Sequence, residues 1–299
     1  MVLLGAALVL LPLLAGVLAY ARGVDRMEPE PLGLLLALVG AGAALLPLTT
    51  QLELQVLTLL PGNLPLAREA LEVTLAVGCV GAVHALAPRV FGAGLDGALD
   101  GALALGLVVL GFSLADVALL VTARPPSGGR LTEVLGVTQA LALASLSRLG
   151  SALPAGLGLG LALERPPGAG RLPRVLGGLA VSVLLAAVDQ RWRRVAPGGV
   201  TQAVTGLLLA LSWFVALAGL RAREAVLLRR ALGPELARGT LSEAELEALL
   251  DGRHTPDGRT VRLARLGLLL VRRMHGDARP GIFEAEHRLR ERLGTSPVP

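Results

Sequence analysis

Residues 102–121 have the sequence ALALGLVVLGFSLADVALLV, twenty residues with one ionisable side chain, Asp116. A helix needs roughly 20 apolar residues to cross a hydrocarbon core of about 30 Å, so this stretch is long enough to span a bilayer. Eight apolar stretches run through the first 220 residues, of which the sixth and seventh are short. The whole chain is 53% hydrophobic and 17% charged, with a mean hydropathy of +0.66. The sequence therefore predicts an all-α fold, a polytopic transmembrane helix bundle of about eight spans.

Polar breaks divide residues 1–220, the predicted transmembrane bundle, into these spans. Two of the predicted helices meet near Gly150 and Pro154, and they are alternatively one broken helix, which membranes tolerate where the freed backbone groups are buried in protein. The first stretch has no basic segment before it and no small-residue cleavage site after it, which favours a retained span over a signal peptide. The eight predicted helices are 2–20, 31–49, 69–87, 95–122, 131–148, 149–163, 174–190 and 200–220.

After Leu220 the chain becomes charged, which predicts a basic juxtamembrane segment and a soluble helical tail over residues 221–299. Thr240 or Ser242, followed by glutamates, is typical of a helix N-cap and first turn. Residues 261–274 form a basic amphipathic stretch, which predicts either one helix of a small cytosolic bundle or a segment docked on anionic lipid. Residues 282–293 alternate acids and bases, which predicts a solvated helix.

The distribution of arginines predicts an orientation in the cell membrane. A cluster after the last span favours a cytoplasmic tail, and an even number of spans then places the N-terminus in the cytoplasm too. The loop that carries Arg191, Arg193 and Arg194 disagrees, because it would lie outside. The arginines after the last span are Arg221, Arg223, Arg229 and Arg230.

The net basic charge raises the question of nucleic-acid binding. The sequence pI is about 10.9, but the basic residues lie in loops and the tail without interleaved aromatic residues. They are better explained by topology and by lipid headgroups, so the predicted partners are membrane lipid and single-span membrane proteins, with no nucleic acid. The only cysteine, Cys79, excludes an intramolecular disulfide.

Two pairs of acidic residues lie where predicted helices begin. Glu69 and Glu72 are three residues apart, so they share one helix face. They either cap an interfacial helix start or act as general acid and base with a pKa raised by apolar surroundings. Asp96 and Asp100 share a face in the same way within a Gly-Leu-Asp-Gly context, which favours a turn and cap over a site.

Asp116 differs from these pairs because it lies about one membrane half-thickness into an apolar helix. A charge at that depth is costly enough to need a partner or a hydrated cavity. Arg148 is a candidate partner, although a position in a loop would also explain this arginine. A functional carboxylate and a structural ion pair both fit the position.

The order of these motifs resembles the PrsW-type family of intramembrane proteases, described as glutamic or metal-dependent. That family has a Glu-Glu pair followed by a basic residue, an Asp-Gly turn, a Phe-x-x-x-Glu motif and two later helices that each carry a histidine. The resemblance covers roughly residues 65–190, and residues 236–250 are similar to the tails of such proteins. The matching segments are Glu72-Val73-Thr74-Leu75-Ala76 or Glu69, Asp96-Gly97 or Asp100-Gly101, Phe112-Ser113-Leu114-Ala115-Asp116, 148–160 and 184–189.

The resemblance implies catalytic roles for Glu72, Asp116 and Glu69, with further cavity positions at Asp96, Asp100, Ser151 and Asp189. Ser151 stands where the family has its first histidine, and the second is also replaced, near Asp189. His84 borders a predicted loop and the other histidines lie in the tail, so neither a His-ligated zinc nor a His relay can be assembled. We therefore predict no metal and no cofactor.

Three classes of function follow. As an enzyme, the chain would hydrolyse a membrane-bound peptide with Glu72 and Asp116 facing each other across a hydrated cavity. As a degenerate relative with weak or lost peptidase activity, it would bind membrane-protein segments or lipid and signal through its tail. A small transporter is the third class, although no inverted repeat is apparent. The replaced histidines favour the non-enzyme.

Overall fold

A computed structural model describes residues 2–24, 30–59, 64–90, 97–124, 130–164, 170–195, 199–251, 259–274 and 280–293. These residues form ten helices and no strand, which confirms the predicted all-α fold. Seven of the helices are long and apolar enough to cross a membrane. They are α1 (Val2–Val24), α2 (Leu32–Leu59), α3 (Leu64–Val90), α4 (Ala98–Ala123), α5 (Leu131–Leu163), α6 (Arg171–Val195) and α7 (Gly199–Ala237).

The span count is one lower than predicted, because the predicted helices 131–148 and 149–163 are a single helix, α5. Pro154 lies inside α5 and has no N–H, and its ring disturbs the hydrogen-bonding of the preceding turn. The next backbone N–H, that of Ala155, donates instead to Ser182 Oγ on α6 at 2.9 Å. Ser182 is fully buried. The neighbouring helix therefore satisfies the backbone at Pro154, and α5 continues.

Helix α4 is the centre of the bundle, with every residue from 101 to 113 buried. Its glycines Gly101, Gly106 and Gly111 are five residues apart. Five residues of α-helix turn through about 500°, so successive glycines point about 140° apart. They therefore open three different faces of α4 to three neighbouring helices.

Each of these glycines meets a different helix at very close range. A Cβ on Gly101 would lie 2.5 Å from the carbonyl oxygen of Gly156 on α5. One on Gly106 would lie 2.5 Å from the indole of Trp213 on α7, which donates its Nε1–H to the Ala102 carbonyl at 3.2 Å. One on Gly111 would lie 1.9 Å from the Val39 carbonyl on α2. Small residues thus allow the close backbone packing that stabilises helices in lipid.

An ion pair ties α5 to α7 at the end of the bundle where α4 begins. Both oxygens of Glu164 accept from Arg223, each at 3.0 Å. Glu164 Oε1 also accepts the N–H of Ala98 at 3.1 Å, which is one of the otherwise unpaired donors in the first turn of α4. Glu164 thus holds three helices together at one end of the bundle.

Helix α7 continues through Leu220 into the tail, so the predicted boundary at residue 220 lies inside a helix. The tail core packs Leu232 of α7 against apolar residues of the helices that follow. Leu263 and Leu266 of α9 are buried in it, which favours the small helical bundle over lipid docking for this basic segment. The tail helices are α8 (Glu243–Leu250), α9 (Arg259–Met274) and α10 (Pro280–Leu293).

The start of α8 has the predicted N-cap. Ser242 Oγ accepts the Glu245 N–H at 3.2 Å, and the Glu245 carboxylate accepts the Ser242 N–H at 2.9 Å. This is the reciprocal capping box. The hydrogen bond from the Ser242 backbone holds the pKa of the Glu245 carboxyl below its ordinary value, and Arg259 adds to the effect.

Candidate functional site

The candidate site is an intramembrane cavity enclosed by α2, α3, α4 and α5. Its volume is about 30 Å³, which is room for one or two water molecules. Glu72 and Arg148 are the ionisable side chains that line it, among the residues the structure describes. The full lining is Leu45, Thr49, Glu72, Val73, Ala76, Val109, Phe112, Arg148, Ser151 and Ala152.

Glu72 lies on α3, where its side chain is partly buried. It lines the cavity together with Arg148 and Ser151 of α5. The structure thus brings Glu72 and Ser151 to one cavity. A carboxylate and a guanidinium in one small space provide both an acceptor and a strong donor for a polar ligand or water.

Asp116 does not line this cavity, but it contacts Arg148, which does. Arg148 Nη1 donates to Asp116 Oδ2 at 3.3 Å, with 26% and 18% of the two side chains exposed. Phe112, one turn before Asp116 on α4, lies under the guanidinium, whose Cζ is 5.3 Å from the ring centroid. The Phe-x-x-x-Asp motif is therefore a clamp that holds one arginine by charge and by a cation–π contact.

Arg148 lies in the middle of α5, so the alternative position in a loop is wrong. An arginine inside a long apolar helix is itself a signal for a partner on a neighbouring helix. The apolar surroundings of Asp116, and not those of Arg148, named this arginine as a candidate partner, and the structure confirms the pairing. The contribution of Phe112 to the same arginine was missed, although its i, i+4 spacing to Asp116 was visible in the sequence.

Ser151 is buried, and its hydroxyl donates to the Arg148 carbonyl at 3.2 Å, one turn earlier on α5. The hydroxyl proton is thus used within the helix. Glu72 is the carboxylate on the same cavity wall, but the Ser151 proton is directed to the Arg148 carbonyl. The arrangement gives this serine a structural role and no nucleophilic one.

Asp189 is not brought to the cavity. Its Oδ2 accepts the Ser147 hydroxyl at 3.2 Å, so it joins α6 to α5 on another side of α5. Asp100 is also elsewhere, because its carboxylate accepts the N–H of Gly97 at 3.1 Å at the start of α4. This supports the turn-and-cap interpretation of that aspartate. The side chain of Glu69 and the whole of Asp96 lie outside the described residues.

Three carboxylates lie at a similar depth. Glu72 is eight residues after the start of α3, Asp116 seven before the end of α4, and Asp189 six before the end of α6. At 1.5 Å per residue these positions are about 9 to 12 Å from the helix ends. Because successive spans alternate in direction, the three helix ends lie on the side of the bundle opposite the tail. Asp116 is therefore nearer to the end of α4 than to its start.

The histidines do not contribute to the cavity. His84 lies within α3, so its predicted position at a loop border is wrong. It is twelve residues from Glu72, about 18 Å along the helix, and does not line the cavity. The described residues contain no group of three or more His, Cys, Asp or Glu side chains that could hold a metal ion.

Comparison of the chain with models of known protein families, with curated proteins and with solved structures finds no match. The chemistry of this site therefore has to be argued from its own geometry.

Proposed function

We propose that this chain is a membrane-embedded binding protein, related in design to intramembrane proteases of the PrsW type but with weak or lost peptidase activity. Its partners are membrane-protein segments or lipid, and its tail conveys their binding to the cytoplasm. The observation that carries the proposal is the ion pair between Asp116 and Arg148.

That ion pair removes one of the two carboxylates that hydrolysis would need. Two acids can share the work of activating water and protonating the leaving amine only if their pKa values are separated, so that one holds a proton. Asp116 Oδ2 accepts a hydrogen bond from the Arg148 guanidinium at 3.3 Å, and Asp116 does not line the cavity. Among the described residues, Glu72 is the one carboxylate on the cavity wall, so the second carboxylate that hydrolysis would need is missing there.

The cavity is also too small for a peptide, so a bound segment would contact the outer surface of the bundle. Helix α6 is the least buried of the seven spans and packs mainly on α5. Its exposed apolar side chains, together with those of α7, form the surface available to lipid and to a single-span helix. They are Leu172, Leu176, Val181, Leu184 and Val188 on α6, and Val204, Leu207, Leu208, Leu211 and Val215 on α7.

We expect the protein, purified in lipid with a tethered single-span substrate, to release little or no product above that of protein-free lipid. Glu72→Gln and Asp116→Asn should leave that baseline unchanged. The physical reason is that Asp116 is paired with Arg148. Its side chain is also one methylene shorter than the glutamate of the family. A displacement on the order of 1 Å can reduce a rate about a hundredfold. Product from the parent that both substitutions abolish would establish a two-carboxylate protease and contradict the proposal.

The same lipid sample measures binding. A photoreactive residue in place of Leu184, 61% exposed on α6, should cross-link to the single-span substrate more than one in place of Met274, 59% exposed on α9. Because the two side chains are similarly exposed, a difference in cross-linking reflects where they lie in the protein. Equal labelling at both positions would exclude α6 as the binding surface.

We propose that the protein lies in the cell membrane with its tail on the cytoplasmic side. With seven spans, ten arginines lie at span ends on the side of the tail and six on the opposite side. This bias supports the orientation. The start of α1 then lies on the opposite side from the tail, which corrects the expectation based on an even count. The two groups are Arg22, Arg26, Arg89, Arg165, Arg171, Arg174, Arg221, Arg223, Arg229 and Arg230, against Arg68, Arg124, Arg130, Arg191, Arg193 and Arg194.

A reporter enzyme fused after Gly233 tests this orientation. We expect a cytoplasmic reporter to be active there and an extracytoplasmic one to be inactive. The matched fusion in the loop between α6 and α7 should show the reverse. A tail fusion that is active only outside would contradict the orientation.

A further inference from the structure

The tail contains a second cavity, of about 400 Å³, between the end of α7, α9 and α10. That volume is within the range of sites for small molecules, and it is far larger than the intramembrane cavity. The proposed binding of membrane partners makes no use of it. Its lining is Ala231, Pro234, Glu235, Arg238, Leu270, Arg273, Phe283, Glu286, His287 and Arg290.

Three charged side chains are buried at this tail cavity. Glu235, Glu286 and Arg290 are 3%, 6% and 4% exposed. Arg290 joins the two glutamates, donating from Nε to Glu286 at 3.0 Å and from Nη1 to Glu235. The prediction that this helix is fully solvated is therefore wrong for one of its faces. Burying such a network is no better for stability than packing apolar residues there, so stability alone does not explain it.

Two further arginines at the cavity are exposed and are oriented by the buried glutamates. Arg238 Nη1 donates to Glu235 at 3.3 Å, and Arg273 Nη1 donates to Glu286 at 3.2 Å. Their side chains are 42% and 51% exposed. A guanidinium has five N–H donors, so each arginine retains donors beyond the one its glutamate accepts. Arg273 also lies over the Phe283 ring, at 4.9 Å, which restricts its position further.

The balance of charge at the cavity selects an anion. Three arginines face two glutamates, and both glutamates already accept hydrogen bonds from arginine. A cation would find no unoccupied carboxylate of that pair, whereas an anion would find two oriented guanidinium groups. Guanidinium groups match phosphate with paired, charge-assisted hydrogen bonds. We infer that the tail cavity binds a soluble ligand that carries a phosphate group, through Arg238 and Arg273.

The position of the cavity favours a soluble ligand over a lipid headgroup. Arg223 pairs with Glu164 where α5 ends, and Glu235 is twelve residues further along the same helix. Twelve helical residues extend about 18 Å. The polar layer on each side of the hydrocarbon core is only about 5 to 8 Å thick. Both sources would present the same phosphate chemistry, and the experiment separates them.

The test is titration calorimetry of the full chain in phosphatidylcholine nanodiscs with inorganic pyrophosphate as the probe. We expect saturable binding that Arg238→Gln and Arg273→Gln each weaken at least tenfold. Both variants should fold, because Glu235 keeps Arg290 and Thr240 as partners and Glu286 keeps Arg290. The matched control is Arg229→Gln, which removes a 57% exposed arginine near Glu243, outside the cavity. It should bind as the parent does.

Four outcomes would overturn the inference. They are no binding of millimolar pyrophosphate by the parent, unchanged binding by both cavity variants, equal weakening by Arg229→Gln, and binding only when the nanodiscs carry phosphatidylinositol 4-phosphate. The third would indicate general attraction to a basic surface, and the fourth a lipid ligand. Thermal unfolding of each variant verifies that weaker binding does not come from a lost fold. None of these readouts depends on membrane-partner binding or on hydrolysis.

Discussion

Gly101→Ala is expected to destabilise the transmembrane bundle by about 3 kcal/mol, because the new methyl group would collide with backbone and not with a side chain that can move. Its Cβ would lie 2.5 Å from the Gly156 oxygen and 2.5 Å from the Gly160 nitrogen. Relief requires α4 and α5 to separate, which also opens the contacts on the other faces of α4. Reversible unfolding in lipid bicelles, followed by the fluorescence of Trp192 and Trp213, measures the loss.

Gly78→Ala is the matched control for this prediction. Gly78 is also a glycine inside a transmembrane helix, α3, but a Cβ there would have no atom within 4 Å. Alanine favours a helix over glycine by roughly 0.5 to 1 kcal/mol, so this variant should unfold like the parent or slightly later. If the two variants unfold at the same point, the close approach of α4 and α5 is not what stabilises the bundle.

Removing either partner of the Asp116–Arg148 pair should have an effect of similar size. Arg148→Gln leaves the Asp116 carboxyl without its guanidinium, and Asp116→Asn leaves the guanidinium without its carboxylate, each at a cost of about 2 to 4 kcal/mol. The double variant removes both charges and should be more stable than either single variant. Unfolding of all four proteins in the same bicelles gives the coupling energy, which we expect to exceed about 1 kcal/mol.

The control for this cycle is Arg130→Gln, which removes an exposed arginine at the start of the same helix, α5. It should change stability by no more than about 0.5 kcal/mol. Additive single effects, with no coupling, would show that the pair contributes little. Asp116 would then be available for chemistry.

Hydropathy was sufficient to predict the helical class and most of the spans. A membrane requires about 20 apolar residues in sequence, and this requirement is local. The join at Pro154 was only one of two alternatives, because the local sequence does not decide it. Proline breaks a helix unless another group satisfies the freed backbone, and here that group is Ser182, 27 residues away. Which residue would meet Ala155 depends on the packing of α6 against α5.

The polar sites were also predictable from the sequence only in part. The apolar sequence around Asp116 indicated a partner for its charge, with Arg148 as the candidate, because an isolated charge in lipid is costly. The buried ion pairs of the tail were missed because their sequence pattern is that of an exposed pair. Glu286 and Arg290 are four residues apart, the spacing of an ordinary solvated pair, and only the approach of Glu235 from α7 buries them.

Because α7 is long, a small tilt of this helix displaces the tail by several ångströms. It is one helix of 39 residues, with Trp213 fixed in the space above Gly106 and Glu235 at the tail cavity. Those two residues are about 33 Å apart along the axis, so a tilt of about 5° about Trp213 displaces Glu235 by about 3 Å. Arg223 lies nearly halfway between them and is bound to Glu164 of α5. The ion pair between Arg223 and Glu164 therefore restrains the tilt of α7. This restraint limits how far the tail can move relative to the membrane helices.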